Sequence, residues 1–301
     1  MPPPLLVQAM RLPFLTGSLT PVLVVAAWWW GQGSMPWGLF LLTLAGVGCL
    51  QSGANLINDF YDATGSDPLN RHATIFSGGS RVIQDGRMSR RAVGALAVGF
   101  FVAAGACGGM VAALDRPWAL AVGAVGLAGG WLYSAGPLAL MSLGLGEACI
   151  FILFGPLLTW GVGYVLGGEF WAVAWWLGLP QAWLITAVLW INQFPDRAAD
   201  AAADKNNLVV RLGLGPSRLV YAVLMLAPFP SLAWLVHGWG LTPWLYLALA
   251  AALPSLKAVA IAWRSYDDPL ALVPAQALTI VTHLSTGAFM VLGLLLGAWL
   301  A

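Results

Sequence analysis

The chain has 301 residues, 60% of them hydrophobic and 8% charged, with a formal net charge of +1. A soluble domain carries roughly 25% charged residues, so most of this chain is built for lipid rather than water. The balanced charge and the lack of a basic tail give no support to a nucleic-acid partner, and the continuously apolar runs argue against an alternating transmembrane β-barrel.

Nine stretches match the roughly 20 apolar residues that a bilayer-crossing helix needs. In chain order they lie at about 16–32, 37–58, 91–113, 118–135, 147–167, 173–194, 217–237, 242–263 and 273–300. The expected fold is therefore an all-α integral membrane bundle of nine transmembrane helices. The N-terminus has one Arg, an early Pro run and no small-x-small site, so no cleavable signal is expected there. Cys49, Cys107 and Cys149 fall in apolar spans without a mutual spacing pattern and read as packing residues.

Lys and Arg set the orientation. Arg71, Arg81, Arg87, Arg90 and Arg91 fall between spans two and three, and Arg197, Lys205, Arg211 and Arg218 between six and seven. Arg11, Lys257 and Arg264 lie on the same side, and Arg116 opposite. The positive-inside rule puts that side in the cytoplasm or its topological equivalent. Trp28, Trp29, Trp30, Trp37, Trp171, Trp239 and Trp299 cluster near the other ends, as an interfacial belt should.

Two polar clusters interrupt this pattern. Asn55-Leu56-Ile57-Asn58-Asp59-Phe60-Tyr61-Asp62, then Asp67, closes the second span. Asn192-Gln193-Phe194-Pro195-Asp196-Arg197-Ala198-Ala199-Asp200, then Asp204, closes the sixth. Both begin Asn-x-x-x-Asp, and the two asparagines are 137 residues apart. The offset suggests a single membrane domain, 1–301, made of two four-helix units, about 10–140 and 141–265, with 273–300 as a closing helix.

Residues three and four apart share a helix face, so each cluster presents a strip of oxygen atoms. Two facing acidic strips repel one another in a low dielectric, and a divalent cation removes the repulsion. Mg²⁺ takes oxygen ligands and commonly shares carboxylates with phosphate oxygens. Asn55, Asp59, Asp62, Asp67, Asn192, Asp196, Asp200 and Asp204 are the candidate metal ligands. Solvated acids at helix ends remain an alternative, as does a cation-coupled anion transporter. Transporters usually hold their ionisable residues near the midplane, where His283 is the main exception here. It continues a polar stripe with Gln276, Thr279 and Thr286, explained by interhelical hydrogen bonding or by a substrate contact. Glu147 reads as a helix N-terminal charge or as a ring-hydroxyl partner.

The clusters resemble those of the UbiA superfamily of membrane prenyltransferases. Asn58-Asp59-Phe60-Tyr61-Asp62 is similar to its Asn-Asp-x-x-Asp signature, and Asp196 to Asp200 to its Asp-x-x-x-Asp signature. Gly78-Gly79-Ser80-Arg81-Val82-Ile83-Gln84, Tyr133-Ser134-Ala135-Gly136-Pro137 and Lys205-x-x-Leu208-Val209-Val210-Arg211 resemble further segments of the menaquinone-type branch, in the same order. Asn206-Asn207 and Ala135 depart from that pattern.

The resemblance implies helices around a central cavity and Mg²⁺-dependent transfer of a polyprenyl group from its diphosphate to an aromatic acceptor. The acceptor it implies is 1,4-dihydroxy-2-naphthoate, with 4-hydroxybenzoate, homogentisate or a haem as alternatives. Asp59, Asp62, Asp196, Asp200 and Tyr133 would be catalytic. Asn55, Asn58, Arg71, Arg81, Asn192, Lys205 and Arg211 would bind substrate. Besides the lipid bilayer, no obligate protein partner is evident.

Overall fold

A computed structural model describes residues 4–300, and every regular element among them is helical. The short α1 (Leu5–Ala9) precedes a 3₁₀ turn at Leu12–Leu15, which leads into α2 (Thr16–Trp30). Helix α3 (Trp37–Asp62) has 26 residues, about 39 Å at 1.5 Å per residue. The hydrocarbon core is about 30 Å thick, so the last turns of α3 carry their Asn and Asp side chains past the apolar layer.

After a long polar loop, Ser89 starts α4 (Arg90–Ala113), its hydroxyl accepting from the Ala92 N–H at 3.2 Å. Helix α5 (Ala119–Leu132) follows. It has 14 residues, where the apolar run at 118–135 suggests a full span. Eight other helical segments are long and apolar enough to cross a membrane, so the bundle is eight such spans plus this shorter apolar helix.

Several spans are broken internally. Helices α6 (Gly146–Phe154) and α7 (Pro156–Gly167) form one span interrupted at Gly155. A Cβ at Gly155 would stand 2.3 Å from the Ala182 methyl, so glycine permits the close crossing there. The next span joins α8 (Ala172–Leu177) to α9 (Leu179–Ala202) across Gly178. Asn207 caps the short α10 (Leu208–Leu212) by accepting from the Val210 N–H at 2.9 Å. Helices α11 (Leu214–Leu226) and α12 (Pro228–Trp239) meet at Pro228, whose ring cannot continue the hydrogen-bond ladder. A 3₁₀ stretch at Pro243–Ala251 runs into α13 (Ala252–Ser265), and α14 (Val273–Leu300) closes the bundle.

Of four apolar clusters, the two largest tie most of the later helices together. One joins α2, α7, α12 and α14 through Val25, Trp28, Leu166, Leu235 and Met290. The other joins α9, α11, α13 and α14 through Trp190, Tyr221, Met225, Ala258 and Ala275. Val102 and Leu253, 66% and 63% exposed, point outward where lipid rather than water would surround them. Trp28, Trp29 and Trp171 form an aromatic knot, and Trp30 packs on Trp37, at the end of the bundle opposite the two Asp clusters.

Candidate active site

The C-terminal ends of α3 and α9 bring the two clusters to one polar chamber of about 210 Å³. Asn55, Asn58 and Asp62 of α3 line it, with Asp67 just beyond. Asn192, Asp196 and Asp200 of α9 line the other side, and Tyr133 and Lys205 complete it.

Lys205 joins the clusters. Its Nζ donates to Asp62 Oδ2 at 3.0 Å and stands 3.6 Å from Asp200 Oδ1. Burial opposes its charge, but Asp62 and Asp200 outweigh that effect and hold the pKa above its ordinary value. The ammonium is therefore a fixed positive charge inside the chamber.

A second cation comes from an unexpected place. Arg11, just before α2, forms an ion pair with Asp59 and reaches Asn58 Oδ1 at 3.5 Å. It also lines the chamber. Burial opposes its charge too, and Asp59 raises the pKa again. In the sequence Arg11 gave only a topology signal, because its meeting with Asp59 depends on how the N-terminal segment folds back.

The loop between α3 and α4 covers the chamber and touches both clusters. Asn70 Nδ2 donates to Asp196 Oδ1 at 2.7 Å, and the Gly78 N–H donates to Asp196 Oδ2 at 3.1 Å. The Ser80 N–H points at both Asp59 oxygens, 3.3 Å from each. Gln84 Nε2 donates to Asp67 Oδ2 at 3.0 Å. Burial first, and then the charges of Asp62 and Asp59, push the Asp67 carboxyl up to about 7.

The remaining polar residues are held by specific partners. Asn58 Nδ2 donates to Asp62 Oδ2 at 3.1 Å and to Ser134 Oγ at 3.2 Å. Asn55 Nδ2 donates to the Met10 carbonyl at 2.9 Å. Asn207 Nδ2 donates to Asp200 Oδ2 at 2.8 Å. Asn192 Oδ1 accepts from Gln276 Nε2 at 3.0 Å. Glu147 is buried behind the chamber wall, where Oε1 accepts from Gln193 Nε2 at 2.9 Å and the Leu208 N–H at 3.1 Å. On α14, Thr279 pairs with Tyr221 at 2.6 Å, while His283 Nε2 is buried without a partner.

Five expected residues do not line the chamber. Asp59 is buried beside it, its carboxylate taken up by Arg11 and the Ser80 N–H, so it acts on the site through Arg11 rather than as a lining ligand. Arg71 is exposed on the loop, outside the lining. Arg81, with a left-handed φ of 60°, is likewise outside it. Arg211 spends its guanidinium on the Asn206 and Leu143 carbonyls, at 2.8 Å each. Asp204 sits exposed past the end of α9, where a φ of 55° turns the chain away.

Behind the polar chamber lies an apolar one of about 430 Å³, walled by α3, α4, α5 and α7. Gln51, Ala54, Gly130, Leu153 and Phe154 line both, so the two adjoin. Oxygen-rich side chains and two cations at one end, with apolar walls behind, suit an amphiphile with an anionic head. Among the described residues, no three acids, His or Cys already converge on a preformed cation position.

Fold and chambers together define a helical membrane protein that gathers a charged head and an apolar tail in one bundle. The chain belongs to the UbiA prenyltransferase family, whose model matches residues 18–273, and it is a prenyltransferase. It is 32% identical over 251 residues to the 1,4-dihydroxy-2-naphthoate octaprenyltransferase of Mycobacterium tuberculosis, covering 82% of this chain and 79% of the relative. Identity to the Escherichia coli protein of the same name is 30% over 307 residues, covering 98% and 96%.

Solved structures share the fold. A UbiA homologue from Aeropyrum pernix aligns with a TM-score of 0.72 at 17% identity, covering 92% of this chain and 97% of that one. A homologue from Archaeoglobus fulgidus bound to GPP and Mg²⁺ aligns at 0.64 with 15% identity, covering 95% and 99%.

Proposed function

We propose that the chain transfers a polyprenyl group from its diphosphate to 1,4-dihydroxy-2-naphthoate, with Mg²⁺ as cofactor, at the cytoplasmic face of a bacterial inner membrane. The observation that carries this reading is Lys205 tying Asp62 to Asp200 inside a chamber that opens onto an apolar one. The names of the relatives support the acceptor. The clustering of Lys and Arg on the side of the Asp clusters supports the orientation.

The donors fit a hard divalent cation. They are carboxylate and amide oxygens, which Mg²⁺ prefers. Burial, and then the charges of Asp62 and Asp59, already lift Asp67 to about 7, and added positive charge would relieve the repulsive part. Asp62, Asp67, Asp196 and Asp200, with Asn55, Asn58 and Asn192, are the residues that would hold it. When bound, Mg²⁺ supplies Lewis-acid neutralisation of the diphosphate.

The chain's own residues do the rest. Lys205 contributes a point charge and Arg11 a planar fork for the diphosphate oxygens, lowering the cost of breaking the allylic C–O bond. Tyr133 lines the chamber beside Gly130, where the two chambers join, and its ring face can steady the allylic cation by about 1–2 kcal/mol. Loop residues Asn70 to Gly79 exclude the water that would capture that cation. An electron-rich ring carbon of the acceptor then attacks it, diphosphate having left with the C–O electron pair, and the ring regains aromaticity by losing the group on that carbon, a proton at a C–H or CO2 at the carboxyl-bearing carbon.

The test uses purified protein with Mg²⁺, geranylgeranyl diphosphate and a panel of aromatic acids, with products read by mass spectrometry. A prenylated product of dihydroxynaphthoate is expected, with its carboxyl retained or lost as CO2, and abolished by Asp59→Ala or Asp196→Ala in protein that still folds. Product from a different acid changes the acceptor. Full activity in both variants overturns the assignment of the clusters.

A further inference from the structure

We infer that α5 sets how long a donor tail the enzyme accepts, with Gly126 and Gly123 acting as successive depth marks along the apolar chamber. The inference rests on the proposed reading of head and tail and adds the residues that fix tail length.

The geometry is that of a graded tube. The apolar chamber begins at Gly130, shared with the head chamber, and runs along α5 past Gly126 and Gly123 to Ala119. At 1.5 Å per residue these positions lie about 6, 10 and 16 Å beyond Gly130. On the facing α3 the lining runs in parallel from Ala54 to Leu42. No charged residue lines this chamber. Its occupant must therefore be apolar, and continuity with the charged chamber means it is joined to a polar head. The allylic tail of the donor meets both conditions. A free lipid chain meets only the first.

The glycines of this region fall into two kinds. A Cβ at Gly129 would stand 2.4 Å from Leu153 Cδ1, and one at Gly161 would stand 2.7 Å from Val122 Cγ1, so these two are packing contacts. A Cβ at Gly123 would meet nothing within 4 Å. At Gly126 the single neighbour is Leu50 Cδ1 at 3.3 Å, the end of a flexible side chain. Side chains at these two positions would take up chamber space without displacing a helix. Tail length would thus be limited by what is absent from α5.

The experiment measures kcat/KM for dimethylallyl, geranyl, farnesyl and geranylgeranyl diphosphates with wild type, Gly126→Leu and Gly123→Leu. A misfit of one methylene in an apolar pocket alters discrimination by roughly 10–200-fold. In Gly126→Leu the geranylgeranyl-to-dimethylallyl ratio should fall by at least about ten-fold. Gly123→Leu should keep the geranyl ratio and lose the geranylgeranyl one, because its block lies deeper. Wild-type ratios in both variants, or a reversed order, overturn the inference while leaving prenyl transfer standing. A wild type that turns over none of the donors sinks the prenyl-transfer reading instead. Should a variant be inactive with every donor, the ratio of dissociation constants for geranylgeranyl and dimethylallyl thiolodiphosphates decides. An unchanged binding ratio in folded protein shows that the chamber holds lipid rather than the tail.

Discussion

Lys205 Nζ donates to Asp62 Oδ2 at 3.0 Å while standing 3.6 Å from Asp200 Oδ1, so one ammonium spans carboxylates from two helices. Removing it leaves those carboxylates facing each other across the chamber. Breaking a buried pair costs about 3–5 kcal/mol, and the low end applies here because the Lys205 side chain is 16% exposed. Lys205→Met is expected to lower thermal stability in metal-free buffer, with Mg²⁺ restoring most of it. Its kcat/KM should drop by about 100-fold, the equivalent of 2.7 kcal/mol of lost charge stabilisation. Steady-state kinetics and melts with and without Mg²⁺ check both, and wild-type kcat/KM would remove Lys205 from the diphosphate site.

Asp67 gives the site a pH dependence. The unfolded carboxyl titrates near 3.8, and the folded one near 7. Between those values the unfolded chain has already shed a proton that the folded protein retains. Stability contributed by this group is therefore complete below pH 4 and lost as pH rises through 7. Metal-free melts at pH 5 and pH 8 should show a lower Tm at pH 8, and Asp67→Asn should shrink the difference. A slope unchanged by that substitution would assign it to other groups.

Much of the fold was legible because lipid imposes simple rules. Continuous apolar runs marked the helices, and the two Asn-x-x-x-Asp starts marked the ends of α3 and α9 that meet. What escaped depends on chain path. Nothing local says that Arg11 reaches Asp59 across 48 positions of sequence, or that Arg211 turns to two carbonyls instead of the chamber. Arg71 and Arg81 lie in a loop whose course is set by its contacts with Asp59 and Asp196. The 3₁₀ winding at Pro243–Ala251 and the breaks at Gly155 and Gly178 leave the same hydropathy trace as unbroken helices.

Gly79 is a tight point of that loop, set against the first Asp cluster. Its φ is +79°, and a Cβ there would stand 2.8 Å from Asp67 Oδ2. A left-handed non-glycine residue costs about 1–2 kcal/mol, and the carboxylate clash adds to it. Gly79→Ala should loosen the loop, raise the KM for the diphosphate several-fold and expose residues 70–80 to limited proteolysis. A cleavage pattern identical to wild type would show that the loop tolerates the side chain.

Gln276 connects the same loop to the second cluster. Its buried amide donates to Asn192 Oδ1 at 3.0 Å and accepts from Thr74 Oγ1 at 3.0 Å, so α14 ties α9 to the chamber's cover. Gln276→Leu would leave Asn192 Oδ1 without its donor, at about 1–3 kcal/mol where it stays buried, and would free Thr74 Oγ1 from α14, leaving it to Ser77 Oγ and the Phe76 N–H. Thr74 lies in the stretch that delivers Asn70 and Gly78 to Asp196. The expected effect is therefore a higher KM for the diphosphate, with kcat reduced less. Thr74→Val should reproduce part of the effect, because it removes the hydroxyl from the same amide. Two groups acting through one contact are not additive, so the double variant should be little worse than Gln276→Leu alone. Fully additive losses in KM across that cycle would show that the two residues act independently, and that α14 does not hold the loop through this amide.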